Sequence, residues 1–392
     1  VVLENTDYEN ALAQPFLKDL AARGALLSNA FAETHPSFPN YVALTAGSTY
    51  GLSSNSEVTL DVPHIGNLLE GAGRTWKVYA EGYPGNCFLG PNAGAYVRRH
   101  VPFLSFLNVQ TNPARCQRIV NASVLASDIE NGTLPDYGFY VPDLNNDGHD
   151  TGVAFADQWL AQTFGPRLQD SRFTDGTLFV VTFDEGTATG SNHIYTALYG
   201  AGVVPGSVST SRYDHYSLLR TIEDALGLGT LGQEDARASA ISGVWQPALE
   251  VRLNQPTFRP AERLQVDVAV ANDGTPRLVD VYFGALLPVE AGPGLGCPAG
   301  DAIAFVTEGS GVVTCVTAPP TTFAPLFRSV SLPSSLPETT IPNFWSFVWP
   351  SDLPTGAYTI FLTLTPPDAF SDGRADPIDL LATASQGLTF AP

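Results

Sequence analysis

Ser37 stands between two prolines in HPSFPNYVALTAGS, residues 35 to 48, while Glu4, Asn5, Asp184 and Glu185 each close an apolar run elsewhere in the chain. A hydroxyl beside a set of carboxylate and amide oxygens is equipment for nucleophilic attack next to a hard cation. Oxygen ligands of this kind suit Mg²⁺, Ca²⁺ or Mn²⁺, with Zn²⁺ an option if imidazoles join them. Such a cation lowers the hydroxyl pKa so that the alkoxide can attack, and it neutralises charge on a phosphoryl oxygen. Pro36 and Pro39 stiffen the chain around Ser37 by fixing φ. Behind them Tyr41, Leu44 and Thr45 predict one buried helical face that ends at Gly47. Ser37 then falls at a helix N-terminus, where unpaired N–H groups attract anions, phosphate included. The plainer reading is an N-capping serine, so the surroundings decide.

Those surroundings are polar residues at strand ends. Asp184 and Glu185 follow the apolar run LFVVTF, and two consecutive acids at a sheet rim repel unless a cation compensates them. The bland alternative for Asp184-Glu185-Gly186 is a solvated turn. Asn40, one turn into the helix, is placed to donate to the same oxygens as Ser37. PDLNNDGHD, residues 142 to 150, adds Asp143, Asp147, His149 and Asp150. It lacks the EF-hand spacing and the closing glutamate of a calcium loop, and an Asn-Asp-Gly turn accounts for part of it. His149, just past that turn, is a candidate phosphate or metal contact. His193 opens the strand after Asp184 and Glu185. His35 and His64 read as loop residues. His100, beside Arg98 and Arg99, is either a salt-bridged surface element or part of a positive patch for phosphate.

The elements that must position these groups alternate strand and helix up to about residue 240. VVLEN is a short buried strand, and residues 15–23 form a helix stopped by Gly24. IGNLLEGAG then WKVYAEG is a further helix and strand. TGVAFADQWLAQTFGPRL is a long helix, GTLFVVTFDEG a buried strand, and DHYSLLRTIEDALGLG a helix closed by glycine. This alternation predicts an α/β fold, a mostly parallel sheet with helices on both faces. From about Pro247 the pattern changes to alternating apolar and polar residues broken by Pro and Gly, which predicts an immunoglobulin-like β-sandwich. The expected division is a catalytic domain over residues 1–244 and a β-sandwich over 245–392. All six histidines lie in the first part. Trp345 and Trp349, in IPNFWSFVWP, are expected in the sandwich core.

A chain of 392 residues exceeds one ordinary core, and 44% hydrophobic with 15% charged residues is a packed globular composition. The net charge of −20 argues against nucleic acid or an anionic membrane as partner. No apolar run reaches membrane-spanning length. Four cysteines, none in CxxC spacing, fall into two close pairs. They read as Cys87–Cys116 and Cys297–Cys315 disulfides, hence an exported protein: secreted, periplasmic or on the cell surface. The start on VVLEN without Met suggests a processed or trimmed N-terminus.

Eight segments occur here in one order: LEN, HPSFPNYVALTAGS, YAEGYPGNCF, YVRRHVPF, VPDLNNDGHD, TFDEG, NHIYTALYGAGVVPG and DHYSLLRTIEDALGLG. Over roughly residues 1–228 the chain resembles the bacterial and fungal phosphoesterase family of the alkaline-phosphatase superfamily, which holds acid phosphatases and phospholipase C-type enzymes. The resemblance implies Ser37 as a nucleophile that becomes a phosphoserine, with Glu4, Asn5, Asp184 and Glu185 as metal ligands. It implies that His193 matches a late superfamily histidine ligand, and that His100 and His215 are phosphate contacts or proton donors. The second-metal Asp-x-x-Gly-His of superfamily relatives is two residues longer here, between Asp143 and His149. Family spacing also agrees with the Cys87–Cys116 pair. The reading is an exported, metal-dependent phosphoesterase whose substrate is a phosphate-ester small molecule or a phospholipid head group. Catalysis falls to Ser37, His149 and His193, with Asn40, His100 and His215 on the phosphate. The C-terminal β domain is expected to mediate surface attachment or self-association. The rival is a catalytically silent surface, adhesive or filament-forming protein on the same fold, which metal content and turnover of a chromogenic phosphate ester would separate.

Overall fold

A computed structural model describes residues 1–272, 274, 276–288, 303–307, 313–315, 324–334, 336–370 and 380–392. The chain divides into two compact units, Val1–Val244 and Trp245–Pro392. The first is mixed α/β. Its Val2–Leu3 strand runs parallel to Leu178–Phe183, pairing Val2 with Thr182 and Leu3 with Phe183. Thr196–Gly200 then lies antiparallel to Leu178–Phe183 and to Ala25–Leu27, and Ser207–Ser209 adds a parallel edge. A second sheet, Ile119–Asn121, Trp76–Ala80 and Tyr137–Val141, is parallel throughout. A small third sheet joins His193–Ile194, Ala30–Phe31 and Tyr213–Asp214.

The expected mostly parallel sheet is therefore corrected to several sheets of mixed direction. The physical reason is local. Between Leu178–Phe183 and Thr196–Gly200 the chain holds a two-residue strand and no helix, and without a helical crossover the next strand returns antiparallel.

The Ser37–Ala46 helix is buried along its whole length, which is why its apolar pattern runs nearly all round. It packs on the His215–Leu226 helix, whose N-cap Asp214 accepts from Ser217 N at 2.8 Å. Gly47 ends the Ser37 helix at φ 68°, and a Cβ there would lie 2.4 Å from Asp235 Oδ1, so both backbone and space require glycine. Cys87 and Cys116 form a disulfide with Cα atoms 5.4 Å apart; Cys297 of the expected Cys297–Cys315 pair lies outside the described residues. Among the described residues no helix is long and apolar enough to cross a membrane.

The second unit is strand-rich. Ala248–Leu253, Arg263–Asn272 and Leu336–Val348 form one antiparallel sheet. Another is built on Arg277–Leu286, Gly356–Thr365 and Ala382–Phe390. Alternate residues of each, among them Leu264, Val266, Phe283 and Ile360, meet in one apolar core. Trp349 is buried in that core, and half-buried Trp345 packs against Phe283 at its edge.

Candidate active site

Backbone bonds sew three chain segments together at the carboxyl ends of the strands. Asp184 N donates to Leu3 O at 2.9 Å, Glu4 N to Asp147 O at 3.0 Å and Thr6 N to Glu185 O at 3.2 Å. The parallel register that pairs Leu3 with Phe183 sets Glu4 and Asp184 side by side. Asn5 turns the chain out of its strand in the left-handed region, φ 49°, which asparagine tolerates better than most residues. Its backbone N–H donates to Asp184 Oδ1 at 3.2 Å.

Ser37 enters this cluster from its helix. It is 2% exposed and does not cap the helix: Pro36 is the N-cap, and Asn55 Oδ1 accepts from Phe38 N in the first turn at 3.0 Å. Its Oγ lies 3.1 Å from Glu4 Oε2 and 3.2 Å from Glu185 Oε1. One hydroxyl proton serves either carboxylate, so the serine oxygen sits between two acids.

Burial is the main cause raising the pKa of Glu4, with the charges of Asp184 and Asp147 adding to it. Asp147 and Asp184 are likewise raised first by burial, as is Glu185. Among the described residues no Lys or Arg pairs with any of these four carboxyls. Several buried polar atoms around them have no hydrogen-bond partner: Asn5 Oδ1, Asp184 Oδ2, Asp147 Oδ2 and both nitrogens of His100. Buried orphan acceptors are costly and uncommon. Here they gather around an uncompensated negative charge, which is the donor set and the field that a divalent cation neutralises. Glu4, His100 and Asp147 alone already bring one ligand atom each within 4.8 Å of the others.

The histidines separate into distinct positions. His100, 1% exposed, stacks on Tyr41 with centroids 4.9 Å apart, its Nε2 3.4 Å from Glu4 Oε1 and its Nδ1 3.3 Å from Asp147 Oδ2. Burial holds its pKa well below the usual value, with Arg99 and His149 pushing the same way. His149 lies at the rim, exposed, its Nδ1 2.7 Å from Asp150 Oδ1 and its ring 6.4 Å from that of His100. His215 is buried behind the cluster; its Nε2–H donates to the Asp184 carbonyl at 2.6 Å, and burial lowers its pKa to about 4. That neutral imidazole braces the backbone of an acidic residue.

Two expected contacts take other partners. His193 stacks between Tyr8, at 4.4 Å, and Phe31, at 5.0 Å, and its Nε2 bonds the Ser28 carbonyl at 3.0 Å. The short pairing with Phe31 fixes it there, away from the contacts that join the acidic cluster. Asn40 is fully buried and turns back on its own loop: Nδ2 donates to Thr34 O at 2.8 Å and Pro36 O at 3.3 Å, and Oδ1 accepts from Glu33 N and Thr34 N. Its two N–H bonds are spent on the loop that presents Ser37.

Two members of the cluster, Tyr41 and His35, escaped the sequence reading, and Asp147, named with the 142–150 loop, was given no role of its own. Tyr41 donates its hydroxyl proton to Glu4 Oε1 at 2.5 Å; it lies four residues after Ser37, on the same helical face, a spacing that carried the signal. His35 Nδ1 lies 2.7 Å from Glu185 Oε2, and nothing in a loop histidine announces that. Asp147 reaches Glu4 because its loop carbonyl accepts the Glu4 N–H. Of the arginines beside His100, Arg98 is committed to Glu57 and to the Leu89 and Val58 carbonyls, whereas the buried Nε of Arg99 has no partner.

At strand ends of a mixed α/β fold the chain thus holds a buried serine between two carboxylates. The chain belongs to the Phosphoesterase family, which it matches over residues 6–229. It is 37% identical to a probable acid phosphatase of Kluyveromyces lactis over 255 residues, 62% of this chain and 60% of that protein. It is 36% identical to an acid phosphatase of Aspergillus fumigatus, over 62% of this chain and 57% of that protein. A phosphatidylinositol-3-phosphatase of Mycobacterium tuberculosis is 37% identical over 59% of this chain and 75% of its own length. The chain thus spans about 60% of the length of the first of these curated relatives.

Proposed function

We propose that the first unit hydrolyses phosphate esters through a covalent phosphoserine at Ser37. The observation that carries this is the buried Ser37 Oγ between Glu4 and Glu185, surrounded by orphaned acceptors on acids that pair with no Lys or Arg among the described residues. Glu4, Asn5, Asp184 and Glu185, with His100 and Asp147 alongside, fit a divalent cation, which when bound supplies Lewis acidity that lowers the serine pKa and neutralises phosphoryl charge. Ser37 Oγ attacks phosphorus as the ester P–O bond breaks, and its proton leaves along one of its two carboxylate hydrogen bonds. His149, at the rim, gives a proton to the departing alcohol oxygen. Water then displaces phosphate from Ser37. Tyr41 and His35 orient the carboxyls of Glu4 and Glu185, and Arg99 offers the free guanidinium suited to a phosphate oxygen. The names of the relatives, two acid phosphatases and a phosphatidylinositol-3-phosphatase, support a phosphate-ester substrate. The Cys87–Cys116 bridge supports an oxidising, extracytoplasmic location, and the two-sheet second unit supports an immunoglobulin-type sandwich.

The test is Ser37→Ala, assayed on a chromogenic phosphate ester, with acid-quench trapping of labelled phosphate on the wild-type chain. Turnover is expected to fall on the order of 10³-fold or more, and label to appear on Ser37. A variant with near-normal turnover would sink the phosphoserine mechanism.

A further inference from the structure

Glu81 stands one residue past the Trp76–Ala80 strand, in the segment YAEGYPGNCF, and no step of the proposed reaction uses it. The parallel register pairs Ala80 with Val141, so Glu81 falls where the chain leaves the Tyr137–Val141 strand for the loop over residues 142–150. Its backbone N–H donates to the Val141 carbonyl at 2.9 Å. Its carboxylate then takes three donors. The Tyr140 hydroxyl donates to Oε1 at 3.0 Å, while Asp143 N, at 3.1 Å, and Asn146 Nδ2, at 2.7 Å, share Oε2. Asp143 spends its own Oδ1 inside the turn, on Asn145 N and Asn146 N, so it is Glu81 that grips the turn from outside.

That turn aims two residues of the candidate site. Asp147 N donates to the Asp143 carbonyl at 2.8 Å, and His149 N to Asp147 Oδ1 at 2.8 Å. Asp147 in turn accepts from Glu4 N and stands 3.3 Å from His100 Nδ1. Asn145, His149 and Asp150 are exposed and Leu144 is half-buried, so apolar burial does little to hold this loop and hydrogen bonds set its shape. Leu144 N adds a tie to the Ala95 carbonyl at 3.1 Å. We propose that Glu81 is a positioning residue, an inference that rests on the phosphoesterase reading of the first unit. It fixes the Asp143–Asn146 turn, and thereby sets where Asp147 meets His100 and where His149 stands to protonate the leaving oxygen. A carboxylate suits the task, because hydrogen bonds to an ionised acceptor are shorter and stronger than neutral ones.

The experiment uses the full chain and two readouts, hydrogen exchange over residues 143–150 and kcat/KM on two esters, phenyl phosphate and 4-nitrophenyl phosphate. Glu81→Ala is expected to speed exchange in that segment about 10-fold or more, the worth of a hydrogen bond to a charged group, and to leave the Ser37–Ala46 helix within about twofold. Phenoxide needs a proton to depart and nitrophenoxide does not, so a displaced His149 should cost phenyl phosphate at least about threefold more than the nitrophenyl ester. Glu81→Gln should restore both readouts to within about threefold of wild type, since its carbonyl can face Asp143 N and Asn146 Nδ2 while its amide donates to the Tyr140 oxygen. If Glu81→Ala does not fold, Asn146→Ala removes the 2.7 Å bond alone and should move both readouts the same way by less. Unchanged exchange over 143–150, equal losses on the two esters, or a glutamine no better than alanine would overturn the proposal. The phosphoesterase reading fails on a different result, turnover surviving in Ser37→Ala, and the exchange readout decides for Glu81 whether or not it does.

Discussion

Glu223→Gln should stabilise the first unit at neutral pH and leave it unchanged in acid. Glu223 lies on the His215–Leu226 helix, fully buried, and neither carboxyl oxygen has a hydrogen-bond partner. Beside it Asp235 accepts from Leu231 N at 2.6 Å and Gln233 N at 2.8 Å, and Asp235 also lies against Gly47 at the end of the Ser37 helix. Burial first, and the Asp235 charge second, push the Glu223 pKa from 4.5 up to about 8. A folded pKa raised above the unfolded one means that the fold holds the proton. The stability this group allows is fully present below pH 4.5 and is lost as pH rises towards about 8. At pH 7 the loss relative to acid is roughly 3 kcal/mol, taking 1.36 kcal/mol for each unit between 4.5 and 7. A glutamine keeps the shape, carries no ionisable proton and can donate to Asp235. Thermal and urea unfolding of the full chain, followed at pH 4.5, 7 and 8.5, measure the difference. The first unit of the variant should gain roughly 1–3 kcal/mol at pH 7 or above, where each kcal/mol moves Tm by about 2–4 °C in a domain of this size, and nothing at pH 4.5. Parallel pH profiles for the two proteins would refute the reasoning.

Chelation should lower the Tm of the first unit as well as its turnover, and readdition of Mg²⁺, Mn²⁺ or Zn²⁺ should restore both; a site loaded to 100 times its Kd contributes about 2.7 kcal/mol. Unchanged Tm and metal-free protein at full activity would remove the cation from the account. Asn40→Ala should cost about 1–3 kcal/mol of stability by leaving the Glu33 and Thr34 amides unpaired. A variant of unchanged stability with a raised KM would instead make Asn40 a phosphate contact.

What the sequence exposed, and what it hid, follows from how local each signal is. Glu4 and the pair Asp184–Glu185 were legible because an acid ending an apolar run has to lie at a sheet rim, whatever the rest of the sheet does. Ser37 was legible because its prolines and the Gly47 stop bracket a helix from both sides. Strand direction was not: whether Thr196–Gly200 runs with or against Leu178–Phe183 depends on a pairing made across the fold, and the residues of either strand suit both. Asp147 looked like part of a turn because it is one; only the bond from Glu4 N to its carbonyl makes it part of the site. Tyr41 was read as a core aromatic, and its ring does stack inside, while its hydroxyl reaches Glu4. Asn40 shows the limit most sharply. Helical spacing placed it on the Ser37 side of the helix, but a short amide can bond forward to a ligand or back to its own loop, and spacing cannot choose between them. The choice is made by the Glu33 and Thr34 amides, which would otherwise be unpaired. The asparagine thus acts on Ser37 by holding the loop that aims it.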